Sequence, residues 1–372
     1  MTRKPGNTRP RIRRAAKSGC AAALHLTGVD QLIGKTLGMN NMPLVLGYHR
    51  VVTDFDSAAQ ASIEPNLISV ETLKHQLEYF AQDYTFVSLD ELVASLYQGS
   101  REGNKLAAVT FDDGYADVYH NAYPLLRDMN IPFTVFVVSN LIGTDQLLPH
   151  DHLYLLVSEA INTSRVDVFR AIGELQDATC QIAKELENEL YASSDAFDAT
   201  RRILDSLNLE GIKTLINRME SRLCLPEDRK QAFRGLSPDM LSEMLGAGVT
   251  VGSHTVSHAV LANETADNVR AEVVRSKHYL QNCLNTEIKH FAYPDGSFNA
   301  LVIAEVARAG YTSAVTTCTH QDRARPELTI PRHLLWEKSS INGFNNLSTA
   351  VLSCQANGIF DPATKCSRMH FA

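Results

Sequence analysis

Short apolar runs recur along this chain, and each stops at a polar or turn-forming residue before a helical pattern takes over. Pro43-Leu44-Val45-Leu46-Gly47-Tyr48 ends at His49, and Ala107-Ala108-Val109-Thr110-Phe111 ends at Asp112-Asp113-Gly114. Phe133 to Val138 is apolar throughout except for Thr134. Runs with so little alternation predict strands buried on both faces, and helices between them predict a parallel sheet. The helical stretches are Val70 to Gln82, with Leu73, Leu77 and Phe80 on one stripe, Leu89 to Tyr97 behind Ser88 as N-cap, 117–129 despite Pro124, 264–282 and 299–309. Strands read at 44–48, 84–87, 107–111, 133–138, 249–251, 288–293, 312–316 and 328–336 number seven or eight. The expected fold class is therefore α/β, a barrel of the (β/α) type, complete or with one unit missing.

Residues 145–235 break this rhythm. They carry helical periodicity, as in Gln181 to Tyr191 and Ala199 to Leu207, with many charges and almost no strand signal, and read as a helical insertion in a loop. The expected organisation is a leader at 1–42, two barrel parts at 43–144 and 236–336, the insertion at 145–235, and a C-terminal extension at 337–372 with a short helix at 347–355. Leu148-Pro149-His150-Asp151-His152 opens the insertion. It reads as a helix start with Asp151 near the first turn, with cleft lining or a second metal site as the alternative.

Charge is divided unevenly. Arg3, Lys4, Arg9, Arg11, Arg13, Arg14 and Lys17 form a purely basic leader, while all 42 acidic residues lie at or after Asp30. The other 28 basic residues leave the remainder at −14. An acidic body excludes a protein that coats nucleic acid, because phosphate binding needs a basic face on the fold itself. The leader reads either as a solvated tail or as a contact with anionic lipid, and 20–38 as a short amphipathic helix lying on a membrane or packed on the domain. The seven cysteines, Cys20, Cys180, Cys224, Cys283, Cys318, Cys354 and Cys366, are scattered without a CxxC, which fits a reducing compartment and no thiolate zinc site. The apolar stretch 20–26 is short for a secretory signal and is broken by His25, so a cytoplasmic location is expected.

Three strand ends hold groups with chemistry. Two adjacent carboxylates, Asp112 and Asp113, repel each other, so burying both needs a cation or a shared proton. Taken alone they are equally an acidic turn. His254 and His258 are four apart, a spacing that sets both imidazoles on one face of a helical turn and lets them reach one metal. As an isolated pair they read first as two surface histidines on a loop, a reading that weakens because the pair follows a strand, as the Asp pair does. One carboxylate and two neutral imidazoles leave room for water, the pattern of catalytic zinc. Tyr293-Pro294-Asp295-Gly296 makes a tight turn whose backbone N–H can face a developing oxyanion, or can be a turn and nothing more.

The order Thr110-Phe111-Asp112-Asp113-Gly114, His254-Thr255-Val256-Ser257-His258 and Phe291-Ala292-Tyr293-Pro294-Asp295-Gly296, preceded by Leu46-Gly47-Tyr48-His49-Arg50-Val51, resembles the polysaccharide deacetylases of the NodB-homology family, carbohydrate esterase family 4. The likeness spans about 43–144 and 236–335. It implies a NodB-like fold, a partial (β/α)7 barrel in agreement with the strand count, that removes acetyl groups from an N-acetylhexosamine in a polysaccharide or lipid-linked saccharide. Carried over position by position, Asp112 resembles the general base, and Asp113, His254 and His258 the ligands of one divalent metal ion, zinc by ligand type with cobalt or nickel suited to the same atoms. Tyr293, Pro294 and Asp295 match the substrate and oxyanion turn. Asp295 stands where Tyr or Phe often follows the proline, although any non-Pro residue supplies the N–H. The late Leu-x-His motif that provides the acid is not evident. In a circularly permuted branch concerned with exopolysaccharide the acid comes on the first strand, so His49 takes this role in preference to His333. The resemblance turns the basic leader toward an anchor at the inner face of the cell membrane. An amidohydrolase of the same fold acting on a non-sugar amide is the alternative enzyme. A catalytically inactive glycan-binding module is the other, and it requires loss of a ligand, yet Asp112, Asp113, His254 and His258 are all present.

Overall fold

The computed structural model of the chain describes residues 8–36, 43–98, 105–163, 195–225, 229–230 and 232–360. Its strands are β1 Leu44–Tyr48, β2 Arg50–Val52, β3 Leu67–Ser69, β4 Tyr84–Phe86, β5 Lys105–Phe111, β6 Phe133–Val137, β7 Thr250–Ser253, β8 His290–Ala292, β9 Ser313–Thr316, β10 Ile330–Pro331 and β11 His333–Leu334. The longer helices are α1 Thr8–Leu26, α2 Val29–Thr36, α3 Val70–Phe80, α4 Leu89–Gln98, α5 Tyr123–Asp128, α6 Pro149–Asn162, α7 Ala196–Ser206, α8 Leu209–Glu220, α9 Pro238–Gly246, α10 Ala266–Leu284, α11 Ala300–Arg308 and α12 Thr349–Ala356.

The main sheet is parallel, in the order β10-β9-β8-β7-β6-β5-β1-β11, with β4 beside the start of β5. β10 and β11 are the two ends of one segment. Ile330 and Pro331 pair with β9, and His333 and Leu334 with β1, so 330–334 brings the sheet round into a nearly closed barrel with Arg332 at the seam. This is the expected α/β barrel. The single strand read at 328–336 is instead this pair of short pieces, because the chain changes partner at Arg332.

β1 and β6 are buried at every position, as their unbroken apolar sequences require for strands with side chains on both the inside and the helix side of a barrel. Helices cover the outside with single stripes: Leu73, Leu77 and Phe80 on α3, and Val269, Val273 and Leu280 on α10. Side-chain caps set several starts, Ser69 for α3, Ser237 for α9, Thr265 for α10 and Asn299 for α11. The helix read at 117–129 opens as a wider π turn over Val118–Ala122 before α5, with Pro124 in its first turn, where a missing N–H costs nothing. The parallel pair β2 and β3, which the sequence pattern did not announce, holds the loop after β1.

Between β6 and β7 lie α6, α7 and α8, which share an apolar cluster that includes Leu153, Leu156, Ile203, Ile212 and Leu215. The helix expected over Gln181 to Tyr191 lies outside the described residues. At the N-terminus the chain forms two helices separated by Gly28, whose φ of 69° lies in the left-handed region that glycine enters without a Cβ penalty. α1 packs Ala21 against Ala350, Val351 and Cys354 of α12, and buried Asp30 pairs with His25 (2.8 Å) and accepts from the Ser353 hydroxyl (2.6 Å). Of the two settings considered for residues 20–38, the structure shows a packed one. No helix among the described residues is long and apolar enough to cross a membrane.

Candidate active site

His49 follows β1, Asp112 and Asp113 follow β5, His254 follows β7 and Tyr293 follows β8, so the sequence-selected groups gather at one end of the barrel. Together with His258, Asp295 and His150 they line a single cavity of about 320 Å³. Pro294 is buried in the turn beside it, and His333 does not line it.

Successive residues of a strand point to opposite faces, yet Asp112 and Asp113 both reach the cavity. The backbone explains this. Asp112 N–H donates to Tyr48 O at 2.9 Å, ending the β-ladder, and Asp113 and Gly114 then take left-handed φ values of 73° and 83°. The two carboxylates meet very different surroundings. Asp112 accepts a two-pronged pair of bonds from Arg332, Nη1 to Oδ1 at 2.7 Å and Nη2 to Oδ2 at 2.6 Å, and Arg332 also donates to Thr110 Oγ1 at 3.0 Å. Burial alone would raise the Asp112 carboxyl, but the Arg332 charge, with His254 behind it, outweighs burial and holds it down at about 2. Asp112 is thus ionised and oriented before any substrate arrives.

Asp113 is the reverse case. It is fully buried, neither carboxylate oxygen has a hydrogen-bond partner, and burial followed by the Asp112 and Asp151 charges pushes its carboxyl well above the usual range. His254 Nε2 lies 3.6 Å and His258 Nε2 3.3 Å from Asp113 Oδ1. Burial lowers both imidazoles, so both are neutral, the form that ligates metal. His254 Nδ1 donates to Ala292 O at 2.8 Å, which fixes its tautomer and leaves Nε2 bare toward Asp113. The Asp113 oxygens thus face the Nε2 atoms of two neutral imidazoles, with ligand atoms of all three residues within 4.8 Å of one another, and this set of groups fits a divalent cation. The histidine loop is not the helical turn expected from the four-residue spacing. Thr255 and His258 have φ of 69° and 57°, and the loop is clamped by Glu272, which accepts from Val256 N, Ser257 N and Ser257 Oγ. A left-handed bend, rather than helical periodicity, brings the imidazoles together.

The turn after β8 is tight: Gly296 N–H donates to Tyr293 O at 2.8 Å, Asp295 has φ of 55°, and Tyr293 Oη anchors it by donating to Leu328 O. Gly296 has φ of 63°, and a Cβ there would lie 2.0 Å from Thr317 Oγ1. Gly296→Ala should cost about 1–3 kcal/mol through backbone strain, read as a lower urea midpoint with unchanged slope. A midpoint equal to the parent protein's contradicts the strain.

His49 lines the cavity, and burial, opposed by the Asp112 charge, lowers its imidazole to about 4, so it rests neutral. Two members of the site escaped the sequence reading of strand ends. Arg332 is not singled out by the sequence pattern, because its partner Asp112 lies 220 residues away and nothing local announces the pairing. His150 was read first as part of a helix start. The helix does begin at Pro149, with Asp151 in its first turn, and it also delivers His150 to the cavity wall, with its ring centroid 4.4 Å from that of His258.

The sequence profile described as polysaccharide deacetylase matches residues 99–153 and 194–314, which include the Asp112-Asp113 pair, His254, His258 and the 293–296 turn. The matched residues, just under half of the chain, belong to the polysaccharide deacetylase family. The poly-β-1,6-N-acetyl-D-glucosamine N-deacetylase of Staphylococcus epidermidis is 33% identical over 112 residues, covering 28% of this chain and 38% of that one. YxkH of Bacillus subtilis, named for the same family, is 20% identical over 234 residues, 63% of this chain and 52% of that one. The chain thus spans about half or less of the length of these curated relatives. IcaB from Ammonifex degensii shares the fold, with a TM-score of 0.52 and 18% identity over 85% of this chain and 97% of that structure. β1 with His49 and the closing segment with Arg332 lie outside the profile match, yet His49 and Leu334 line the same cavity and Arg332 holds Asp112.

Proposed function

We propose that this chain is a metal-dependent N-deacetylase that hydrolyses the acetamide of an N-acetylhexosamine in a polysaccharide or lipid-linked saccharide, giving acetate and a free amine. The observation that carries the reading is the division of labour between adjacent buried carboxylates. Asp112 is neutralised by Arg332, whereas Asp113 has no donor and faces the Nε2 atoms of His254 and His258. Asp113, His254 and His258 would hold the ion, zinc by ligand type with cobalt or nickel also suited, and it would supply Lewis acidity to the acetamide carbonyl and to water. Asp112, permanently ionised, takes the proton of the attacking water. A backbone N–H of the 293–296 turn donates to the developing oxyanion, and His49, neutral at rest, takes up the proton released by the attacking water and passes it to the departing nitrogen.

Two further features support the lipid-linked form of the substrate and a place at the inner membrane face. Leu204 and Ile212, on α7 and α8, join Val260 and Leu334 in an aliphatic wall beside the polar floor. Leu26 and Leu32 are exposed, at 86% and 59%, next to the basic leader.

The test is acetate release by zinc-loaded protein from chitooligosaccharides, β-1,6-linked N-acetylglucosamine oligomers, polyprenyl-linked N-acetylglucosamine and an N-acetylated non-sugar amide. Acetate from one or more of the sugars is the expected result. Acetate from the non-sugar amide alone puts the amidohydrolase in its place.

A further inference from the structure

His150 sits in the first turn of α6 and is 6% exposed. Tyr115, two residues beyond Asp113, donates its hydroxyl proton to Asp151 Oδ2, tying the start of α6 to the Asp112-Asp113 loop. The His150 ring is held between this pair and His258. Its Nε2 lies 3.5 Å from Tyr115 Oη and 3.5 Å from Asp151 Oδ2, and its ring centroid 4.4 Å from that of His258. Its Nδ1 is buried and has no partner. His150 is not part of the Asp113, His254 and His258 group whose ligand atoms converge.

The hydrogen-bond inventory assigns the tautomer. Asp151 Oδ2 accepts the Tyr115 proton, and the Tyr115 oxygen has thereby given its proton away, so both neighbours of Nε2 act as acceptors. In the neutral ring Nε2 then carries the hydrogen and Nδ1 is a bare acceptor. Burying such an atom unpaired costs about 1–3 kcal/mol, a cost removed when a ligand donates to it. A ring of the proposed sugar substrate is rich in hydroxyl donors, and its acetamide must reach the neighbouring Asp113, His254 and His258.

Building on the deacetylase reading, we propose that His150 is a substrate-binding residue whose Nδ1 accepts a hydrogen bond from a hydroxyl of the N-acetylhexosamine ring, so that the helical segment between β6 and β7 selects the sugar at the catalytic floor. A site whose buried polar atom needs a substrate hydroxyl discriminates against ligands that lack one.

The test compares zinc-loaded wild type with His150→Phe, His150→Gln and His150→Asn, using a β-1,6-linked N-acetylglucosamine trimer and chitotriose as probes. Phe keeps the ring against His258 without a nitrogen, Gln places its polar group near the Nε2 position, and Asn places a carbonyl oxygen near the Nδ1 position. The expected result is a KM raised about tenfold in the Phe and Gln variants with kcat within about threefold, and recovery of most of the KM loss in the Asn variant. Zinc affinity, read by competition with a chromogenic chelator, should be unchanged in all three. An unchanged KM in an active Phe variant, an equal loss in the Asn variant, or a fall in zinc affinity overturns the inference alone. No acetate from the wild-type protein and no binding of either probe overturns it together with the deacetylase reading.

Discussion

Asp112→Asn should leave zinc binding intact and lower kcat for acetate release by about a thousandfold, the scale on which a positioned general base acts. The argument rests on geometry and charge. The Asp112 oxygens are engaged by Arg332 Nη1 and Nη2, and the carboxyl is held at about 2 although it is buried. Asparagine keeps the shape and loses the proton acceptor. Because Asp113, His254 and His258 supply the ligand atoms that converge, the metal stoichiometry should not change. Turnover within tenfold of the parent protein would remove Asp112 from the role of base, and a loss of zinc would show that it is a ligand.

Arg332→Met should be the most damaging single change to stability at this end of the barrel. The Arg332 and Asp112 side chains are 0% and 4% exposed, and a buried pair broken on one side leaves an uncompensated charge at a cost of about 3–5 kcal/mol. Burial then dominates the Asp112 carboxyl, which protonates toward neutral pH, so activity should fall along with stability. Since the loss comes from a stranded carboxylate, Arg332→Met combined with Asp112→Asn should be more stable than Arg332→Met alone in urea unfolding, the signature of two coupled residues. Additive losses in the double variant would contradict the pairing. Arg332→Lys should rescue only in part, because an ammonium cannot reproduce the two-pronged contact.

The sequence shows most clearly what depends on local pattern. Unbroken apolar runs in β1, β5 and β6 announce buried parallel strands, and the residues that stop them, His49, Asp112 and Asp113, lie in the cavity for the same reason: strand ends are where a parallel barrel exposes its chain. Features set by distant partners were out of reach. Arg332 becomes meaningful only when 330–334 leaves β9 for β1 and places its guanidinium against the end of β5, a closure encoded in no local motif. His150 belongs to the site because Tyr115 ties α6 to the aspartate loop. The His254 and His258 spacing singled out two residues that the structure sets beside Asp113 by a different geometry, since a helical turn and a left-handed bend clamped by Glu272 can bring the same two imidazoles together. At the N-terminus, Gly28 splits a helical pattern that composition alone would extend, and the contact of Ala21 with α12 depends on a segment more than three hundred residues away.

The central claim is that one divalent ion, held by Asp113, His254 and His258, is required for removal of acetyl groups from a sugar amide. Its most direct test is titration of zinc into metal-free protein with acetate and free amine measured together on an N-acetylglucosamine oligomer. The account predicts equimolar acetate and amine that rise linearly to one zinc per chain and then level off, with no response in Asp113→Ala. Acetate release that is independent of added metal, or none at full zinc occupancy on any sugar amide, would contradict it.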